Sequence, residues 1–365
     1  MSRLHELYQR GGQSPWLDNL KRGYITGGEL QRWVDRGVRG ITSNPSIFQK
    51  AISGGADYQS QMRSLLHDGA STEDTYWQLV TKDIVDALAI MRPVFDESDG
   101  ADGFVSIEVD PSLARDTAGT IKAAQRFHST IEQPNLYVKI PATAEGVPAI
   151  KEMISKGRSI NVTLIFSLER YVQVIDAYLE GLEALEGDLS AVSSVASFFV
   201  SRVDTEVDRR LEAIGSPEAL AAAGTAAVAQ AQLAYGLFLD RFRGPRWDRL
   251  QARGARPQRP LWASTSTKNP AYKDTLYVDT LIGPDTVNTL PEATIDAFED
   301  HGTVARTVDA DLDGARAALD RVQELGIDLD DVGRVLEDEG VAAFVKSFDE
   351  VLTTLGDSAD ELRSR

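Results

Sequence analysis

Cysteine is absent from all 365 residues, which excludes disulfides and thiolate metal ligation and suits a reducing compartment. Histidine is scarce: His5, His67, His128 and His301 are scattered and lie off the strand-like segments, so no metal centre is expected. No run approaches the ~18 uninterrupted apolar residues that a membrane helix needs. The opening MSRLHELYQRGG has no apolar stretch of the signal-peptide kind. Positive charge is also in deficit, with 38 Lys and Arg against 56 Asp and Glu, for a net −18. That balance argues against a general nucleic-acid or anionic-membrane binder. It leaves room for a small anionic substrate, because a few Arg and Lys residues can reverse the field inside one pocket. No G-x-G-x-x-G turn follows the first strand-like segment and no G-x-x-x-x-G-K-[ST] occurs, so nothing supports nucleotide binding. The expectation is a soluble, cytoplasmic protein with no nucleic-acid or membrane partner.

The chain does contain alternation. Eight short β-like segments are separated by longer helical patterns: WLDNL from 16, VRGITSN from 38, GFVSIEV from 103, LYVKI from 136, INVTLIF from 160, LSAVSSVASFFV from 189, LWAST from 261 and DTVNTL from 285. Helix signals fill the gaps. Thr26-x-x-Glu29 has the form of a capping box, with Gly37 suited to the stop. Ser71, Ser167 and the Ser216-Pro217-Glu218 triplet each precede an apolar stripe or an acidic first turn. Strands alternating with helices imply parallel pairing through helical crossovers, and eight of them predict a closed (β/α)8 TIM barrel with extra helices, including a C-terminal helical extension. A typical barrel uses ~250 residues. The expected organisation is therefore a catalytic barrel over 1–300 with a helical insertion around 205–260, and helices over 301–365 packed on the same domain.

Residues i and i+2 of a strand face the same side. Lys139 shares a side with Tyr137, while Leu136, Val138 and Ile140 face the other. Ser106 and Glu108 oppose Val105, Ile107 and Val109; Asn161 and Thr163 oppose Val162 and Leu164. Trp16 pairs with Asp18, Thr42 with Asn44, and Ser197 with Phe199. In a barrel the apolar sides would pack on helices and the mixed sides would line the interior. Each polar member lies near the C-terminal end of its segment, where barrel enzymes place their chemistry. A single lysine in a strand is ordinarily an edge residue, and Asn or Thr near a strand end ordinarily caps a turn. The same parity repeated on several segments is what points to a site.

A lysine taken out of water, with carboxylates and a hydroxyl nearby, suits imine chemistry, because a desolvated amine is a nucleophile towards a carbonyl. Glu108, Thr163 and a water are candidates for shuttling protons during imine formation, and Asp18 is the best-placed acid/base for C–C cleavage. A metal-dependent aldolase would need clustered His ligands. A catalytically silent scaffold would lack one of Lys139, Asp18 and Glu108.

GITSNPSIFQKAI (40–52) resembles the first signature of transaldolases, and NLYVKIPAT (135–143) resembles the second, around the imine-forming lysine. SIEVD, INVTLIFS and ASFFVSRVD match in content and order, and the resemblance spans roughly 15–290. It implies transfer of a dihydroxyacetone unit from sedoheptulose 7-phosphate to glyceraldehyde 3-phosphate in the pentose phosphate pathway, on phosphorylated sugars, with no cofactor and no metal, and it allows a homodimer. Carried over by motif, Lys139 would form the imine, Asp18 would serve C–C cleavage, and Glu108 and Thr163 would hold the assisting water. Asn44 and Asn161 would bind substrate hydroxyls and the intermediate, Thr42 and Ser197 would line the pocket, and Arg202 would take the phosphate. One departure stands out. Where the family has Ser-x-Arg, this chain has ASTSTKNPAY (263–272): Ser264 matches the serine, Ser266 occupies the arginine position, and Lys268 could supply the second charge. The alternative reading is a fructose-6-phosphate aldolase-like enzyme that releases free dihydroxyacetone. Those aldolases carry Gln and Tyr where this chain has Glu108 and Phe199, and a phenylalanine offers no hydroxyl to protonate the intermediate, which favours transfer.

Overall fold

Eight parallel strands close into one barrel in chain order, in a computed structural model that describes residues 2–363. They are β1 (Gln13–Leu17), β2 (Gly40–Ile41), β3 (Phe104–Glu108), β4 (Leu136–Pro141), β5 (Ile160–Ile165), β6 (Ser194–Phe199), β7 (Arg259–Ala263) and β8 (Thr286–Leu290). β8 pairs back onto β1 from Gln13↔Thr286 to Leu17↔Leu290. The chain is thus a (β/α)8 TIM barrel with extra helices. Residues 1, 364 and 365, the last two belonging to the expected C-terminal extension, lie outside the described residues. Among those described, no helix is long and apolar enough to cross a membrane.

The mixed sides of the strands do face inward. Trp16 of β1 stacks on Tyr137 of β4, and Tyr137 stacks on Phe104 of β3 with ring centroids 4.0 Å apart. β1 and β4 are not neighbours, so this contact crosses the barrel interior. Such a pair contributes about 0.5–1.5 kcal/mol beyond its area burial. Gly40 completes the layer: a Cβ there would lie 2.3 Å from Trp16 Cε2, so the indole occupies the space that a side chain on β2 would fill. Below this layer Asp102 closes the N-terminal end of the barrel. It accepts from Ser14 Oγ at 2.7 Å and pairs with Arg39 at 2.9 Å and Arg259 at 3.1 Å. Although burial works against its charge, the two guanidiniums hold its carboxyl below the usual range. The opposite strand faces, including Leu136, Val138, Ile140, Val105 and Ile107, are buried under the helices.

Two expectations need correction. The first strand starts at Gln13 rather than Trp16, so Asp18 follows the strand instead of sitting inside it. The pattern WLDNL catches only the apolar end of QSPWL, whose Gln13 and Ser14 are buried because they hydrogen-bond to Leu281 O and Asp102. Thr26 is not a cap either. It ends the short helix Arg22–Thr26 and donates back to Arg22 O, while Gly28 (φ +69°) starts the helix Glu29–Arg36. Gly37 ends that helix at φ +115°, as expected. Ser71, Ser167 and Ser216 each accept from the backbone N–H three residues on and cap their helices.

Beyond β8 come helices Glu292–His301, Leu312–Glu324 and Leu329–Arg363. The last runs across the C-terminal end of the barrel. Its apolar face recurs as Val332, Leu336, Phe344, Phe348, Val351 and Leu355, all buried, with Gly333 and Gly340 where it approaches most closely. A Cβ on Gly340 would stand 3.0 Å from Leu164 Cδ2 of β5. Ion pairs from Arg115 to Glu337 and Asp338, and from Arg210 to Asp331, hold its first half down.

Candidate active site

Strand register sets the chemistry side by side. Glu108 of β3 is level with Lys139 of β4, and Lys139 is level with Asn161 of β5. All three therefore project inward from adjacent strands. Lys139 is 5% exposed and Glu108 7%. Lys139 Nζ lies 3.2 Å from Glu108 Oε2 and donates to Ser43 O at 3.1 Å. Burial pushes the Glu108 carboxyl above its ordinary range, opposed chiefly by the adjacent ammonium.

Asp18 stands one residue past β1, where its N–H bonds to Leu290 O. Its Oδ1 accepts from Thr42 Oγ1 at 2.9 Å, and Thr42 Oγ1 lies 2.6 Å from Thr289 Oγ1. Thr42 has one proton and spends it on the carboxylate, so Thr289 is the donor in the second bond. The Asp18 carboxyl is raised by burial, against the pull of Lys139, the Thr42 hydroxyl, Lys268 and Arg202.

The amides are oriented by their neighbours. Asn44 caps the helix Pro45–Gly54, its Oδ1 accepting from Ile47 N at 3.0 Å. That bond assigns the other end of the amide, Nδ2, as the donor open to a ligand. Asn161 is fully buried, with Nδ2 donating to Ser106 Oγ at 3.0 Å and Oδ1 accepting from Ser197 Oγ at 2.7 Å. Thr163 Oγ1 is buried with no hydrogen-bond partner among the described residues. The register of β5 on β6 slips between Val162 and Ile165, and Leu164 takes φ +58°. A bulge with a β-branchless residue in the left-handed region marks a strand bent to aim its side chains.

These side chains open onto one cavity of about 340 Å³ at the C-terminal mouth of the barrel. Asp18, Thr42, Asn44, Lys139, Thr163, Ser197, Phe199, Arg202, Ser264 and Lys268 all line it. Glu108 and Asn161 do not: Glu108 stands behind Lys139, and Asn161 lies beneath the floor and reaches it through Ser197. The Arg202 guanidinium lies 5.2 Å from the Phe199 ring centroid. Ser264 takes φ +56°, and its Oγ is 2.9 Å from Ser201 Oγ. Lys268 donates to Ser266 Oγ at 2.7 Å, so the serine in the arginine position and the lysine two residues on form one unit. Burial and the proximity of Arg202 hold the Lys268 ammonium below its usual range. The cavity is thus cationic at its rim, with an amine, one carboxyl and hydroxyls at its base, and the second carboxyl behind the amine.

Residue-by-residue strand parity did not reach Thr289, Lys50, Ile47 or Phe344, which also line the cavity. Thr289 had a signal, since it lies near the C-terminal end of DTVNTL. Lys50 and Ile47 belong to the helix after β2, and Phe344 is about 200 residues from Lys139 in the chain, so no local pattern places it here.

Residues 15–355 match the family described as Transaldolase/Fructose-6-phosphate aldolase. The chain is 51% identical over 346 residues to Transaldolase 2 of Streptomyces avermitilis, covering 93% of each chain. It is 51% identical to the Transaldolase of Thermobifida fusca over 93% of this chain and 94% of that one. To the Transaldolase of Mycobacterium bovis it is 50% identical over 93% of each.

Proposed function

The chain belongs to the Transaldolase/Fructose-6-phosphate aldolase family and is a transaldolase-family enzyme, and from that premise we propose that it moves a dihydroxyacetone unit from sedoheptulose 7-phosphate to glyceraldehyde 3-phosphate, giving erythrose 4-phosphate and fructose 6-phosphate, through an imine on Lys139. The observation that carries this reading is a 5%-exposed lysine, 3.2 Å from Glu108, at the base of a cavity whose rim bears Arg202 and Lys268.

In this reading Lys139 Nζ attacks the C2 carbonyl of the ketose and water leaves to form the imine. Glu108, with its raised carboxyl, and Thr163 Oγ1 relay protons to and from that water. Asp18 takes the C4 hydroxyl proton, the C3–C4 bond breaks, and the aldose phosphate departs. The electron pair left at C3 is delocalised into the imine and then attacks the incoming aldehyde, Asp18 returns the proton to the new hydroxyl, and water hydrolyses the product imine to free the ketose phosphate and the Lys139 amine. Thr42 and Thr289 hold Asp18 in place. Asn44 Nδ2 and Ser197 meet substrate hydroxyls, and Asn161 fixes Ser197. Arg202, Ser264 and the Ser266–Lys268 unit meet the phosphate.

Transfer rather than release is supported by Phe199, which lines the cavity and has no hydroxyl to deliver a proton to C3. The whole chain, including residues 301–365, is read as one catalytic unit acting in the cytoplasm. The test is to incubate the protein with fructose 6-phosphate and borohydride, then locate the reduced adduct by peptide mass. An adduct on the peptide holding Lys139 is expected; its absence from active protein would overturn the imine. Turnover of fructose 6-phosphate that requires an aldose phosphate acceptor separates transfer from release.

A further inference from the structure

We infer that Phe344, carried over the barrel mouth by the C-terminal helix, is a specificity-determining residue that keeps water from the carbanionic intermediate and so sets the partition between transfer and release. This rests on the imine reading above. The electron pair at C3 has two fates. It can attack an aldose carbonyl carbon, forming a C–C bond, with Asp18 protonating the new alkoxide. Alternatively it takes a proton from water, and the hydroxide left behind adds to C2 and expels the Lys139 amine. Both fates end with one water hydrolysing the imine at C2; they differ at C3, which gains a proton in release and frees dihydroxyacetone, or gains a C–C bond in transfer and frees the new ketose phosphate. Which fate prevails depends on how readily water reaches C3 during the interval between departure of one aldose and arrival of the next.

Phe344 is the aromatic roof over that interval. It is 4% exposed, yet it lines the cavity that holds Lys139 and Asp18. Ile47, Phe199, Ala263 and Pro291 give the same cavity its other apolar walls. The ring is held in place by both flanks of its own helix. One turn before it, Gly340 brings the backbone down onto β5, where any side chain would meet Leu164 Cδ2 at 3.0 Å. One turn after it, Ser347 Oγ bonds Ser46 Oγ at 2.7 Å, and Phe348 packs edge-on against Tyr76 with centroids 5.0 Å apart. A helix anchored at these points cannot lift away to let the ring swing clear without losing the anchors. Phe199 removes a proton donor from inside the cavity, and Phe344 narrows the route for one from outside.

The experiment compares Phe344→Ala and Phe344→Leu with the unaltered protein, measuring dihydroxyacetone released and dihydroxyacetone unit transferred in the same reaction of fructose 6-phosphate with an aldose phosphate. The release-to-transfer ratio is expected to rise about tenfold in Phe344→Ala, about 1.4 kcal/mol in relative barrier height. In Phe344→Leu, which keeps an apolar cover, it should rise by less. In deuterium oxide the extra product should carry one deuterium at the former C3. An unchanged ratio in Phe344→Ala that melts cooperatively and still traps the borohydride adduct would overturn the inference. If Phe344→Ala does not fold, the ratio in Phe344→Leu decides, and no rise there overturns it. Absence of the adduct from the unaltered protein would instead overturn the imine reading.

Discussion

Asp18 and Glu108 both face the same lysine, and the proposed mechanism gives them separable steps. Asp18 opens onto the cavity and is braced by Thr42 at 2.9 Å, whereas Glu108 stands behind Lys139 at 3.2 Å and does not line the cavity. The pair attraction between Lys139 and Glu108 is about 5 kcal/mol at an effective dielectric of about 20. Burial of the carboxyl outweighs that attraction, which is why its proton affinity is raised. Glu108→Gln keeps the shape but removes both the charge and the titrating proton, so imine formation should slow, by about 10²-fold or more if the group acts in general acid/base catalysis. Asp18→Asn should lower transfer by about 10²–10⁴-fold on the same grounds while leaving imine formation intact. The assay is the rate of borohydride-trapped adduct, followed by mass, beside the rate of transfer. In Asp18→Asn the adduct should form at nearly the normal rate, because the donor is captured and not cleaved. In Glu108→Gln trapping and transfer should fall together. The acid limb of the transfer profile, set by the raised Asp18 carboxyl, should be present in the unaltered protein and lost in Asp18→Asn. Normal trapping in Glu108→Gln, or absent trapping in folded Asp18→Asn, would refute the division of labour.

Three further outcomes are expected. Lys268→Ala should raise KM for fructose 6-phosphate about tenfold, the lower end for a hydrogen bond to a charged group at an exposed residue, with little change in turnover of unphosphorylated fructose; equal losses on both sugars would remove Lys268 from the phosphate site. Gly40→Ala, which places a Cβ 2.3 Å from the Trp16 ring, should destabilise the barrel by about 1–3 kcal/mol in urea unfolding, and an unchanged midpoint would contradict the packing of the aromatic layer. Asp204 accepts from Ala227 N and Tyr277 Oη at 2.7 Å each, and burial raises its carboxyl from 3.8 to about 6. A carboxyl raised on folding stabilises fully below its unfolded value, and that contribution is lost as pH rises through the folded value. The difference in unfolding free energy between the unaltered protein and Asp204→Asn should therefore shift by about 2 kcal/mol between pH 4 and 7, in favour of the variant as pH rises; a constant difference would refute it.

Much of the molecule was legible because its signals are periodic. Eight strand segments alternating with helices imply parallel pairing, and parity alone placed Lys139, Asn161, Thr163 and Ser197 on inward faces. What blurred was anything decided by a distant partner. Gln13 and Ser14 look like loop residues until Leu281 and Asp102 satisfy them, so the start of β1 was displaced. Thr26 looks like a cap, but its hydroxyl bonds within its own helix. Parity set Asn161 towards the interior, yet not that Ser106 and Ser197 would take both ends of its amide.

By itself the sequence determined the barrel, the inward lysine and its carboxylates, because side-chain alternation along a strand is a local geometric rule that survives any packing. Only the tertiary structure decided the roof. The stripe from Val332 to Leu355 is legible as an apolar helix face, but which surface it covers depends on the cleft left open by β5 and the helix after β2, and on Arg115 and Arg210 meeting its acidic flank. Nothing local to residue 344 tells of Lys139. Closure of the barrel is what puts them on one cavity.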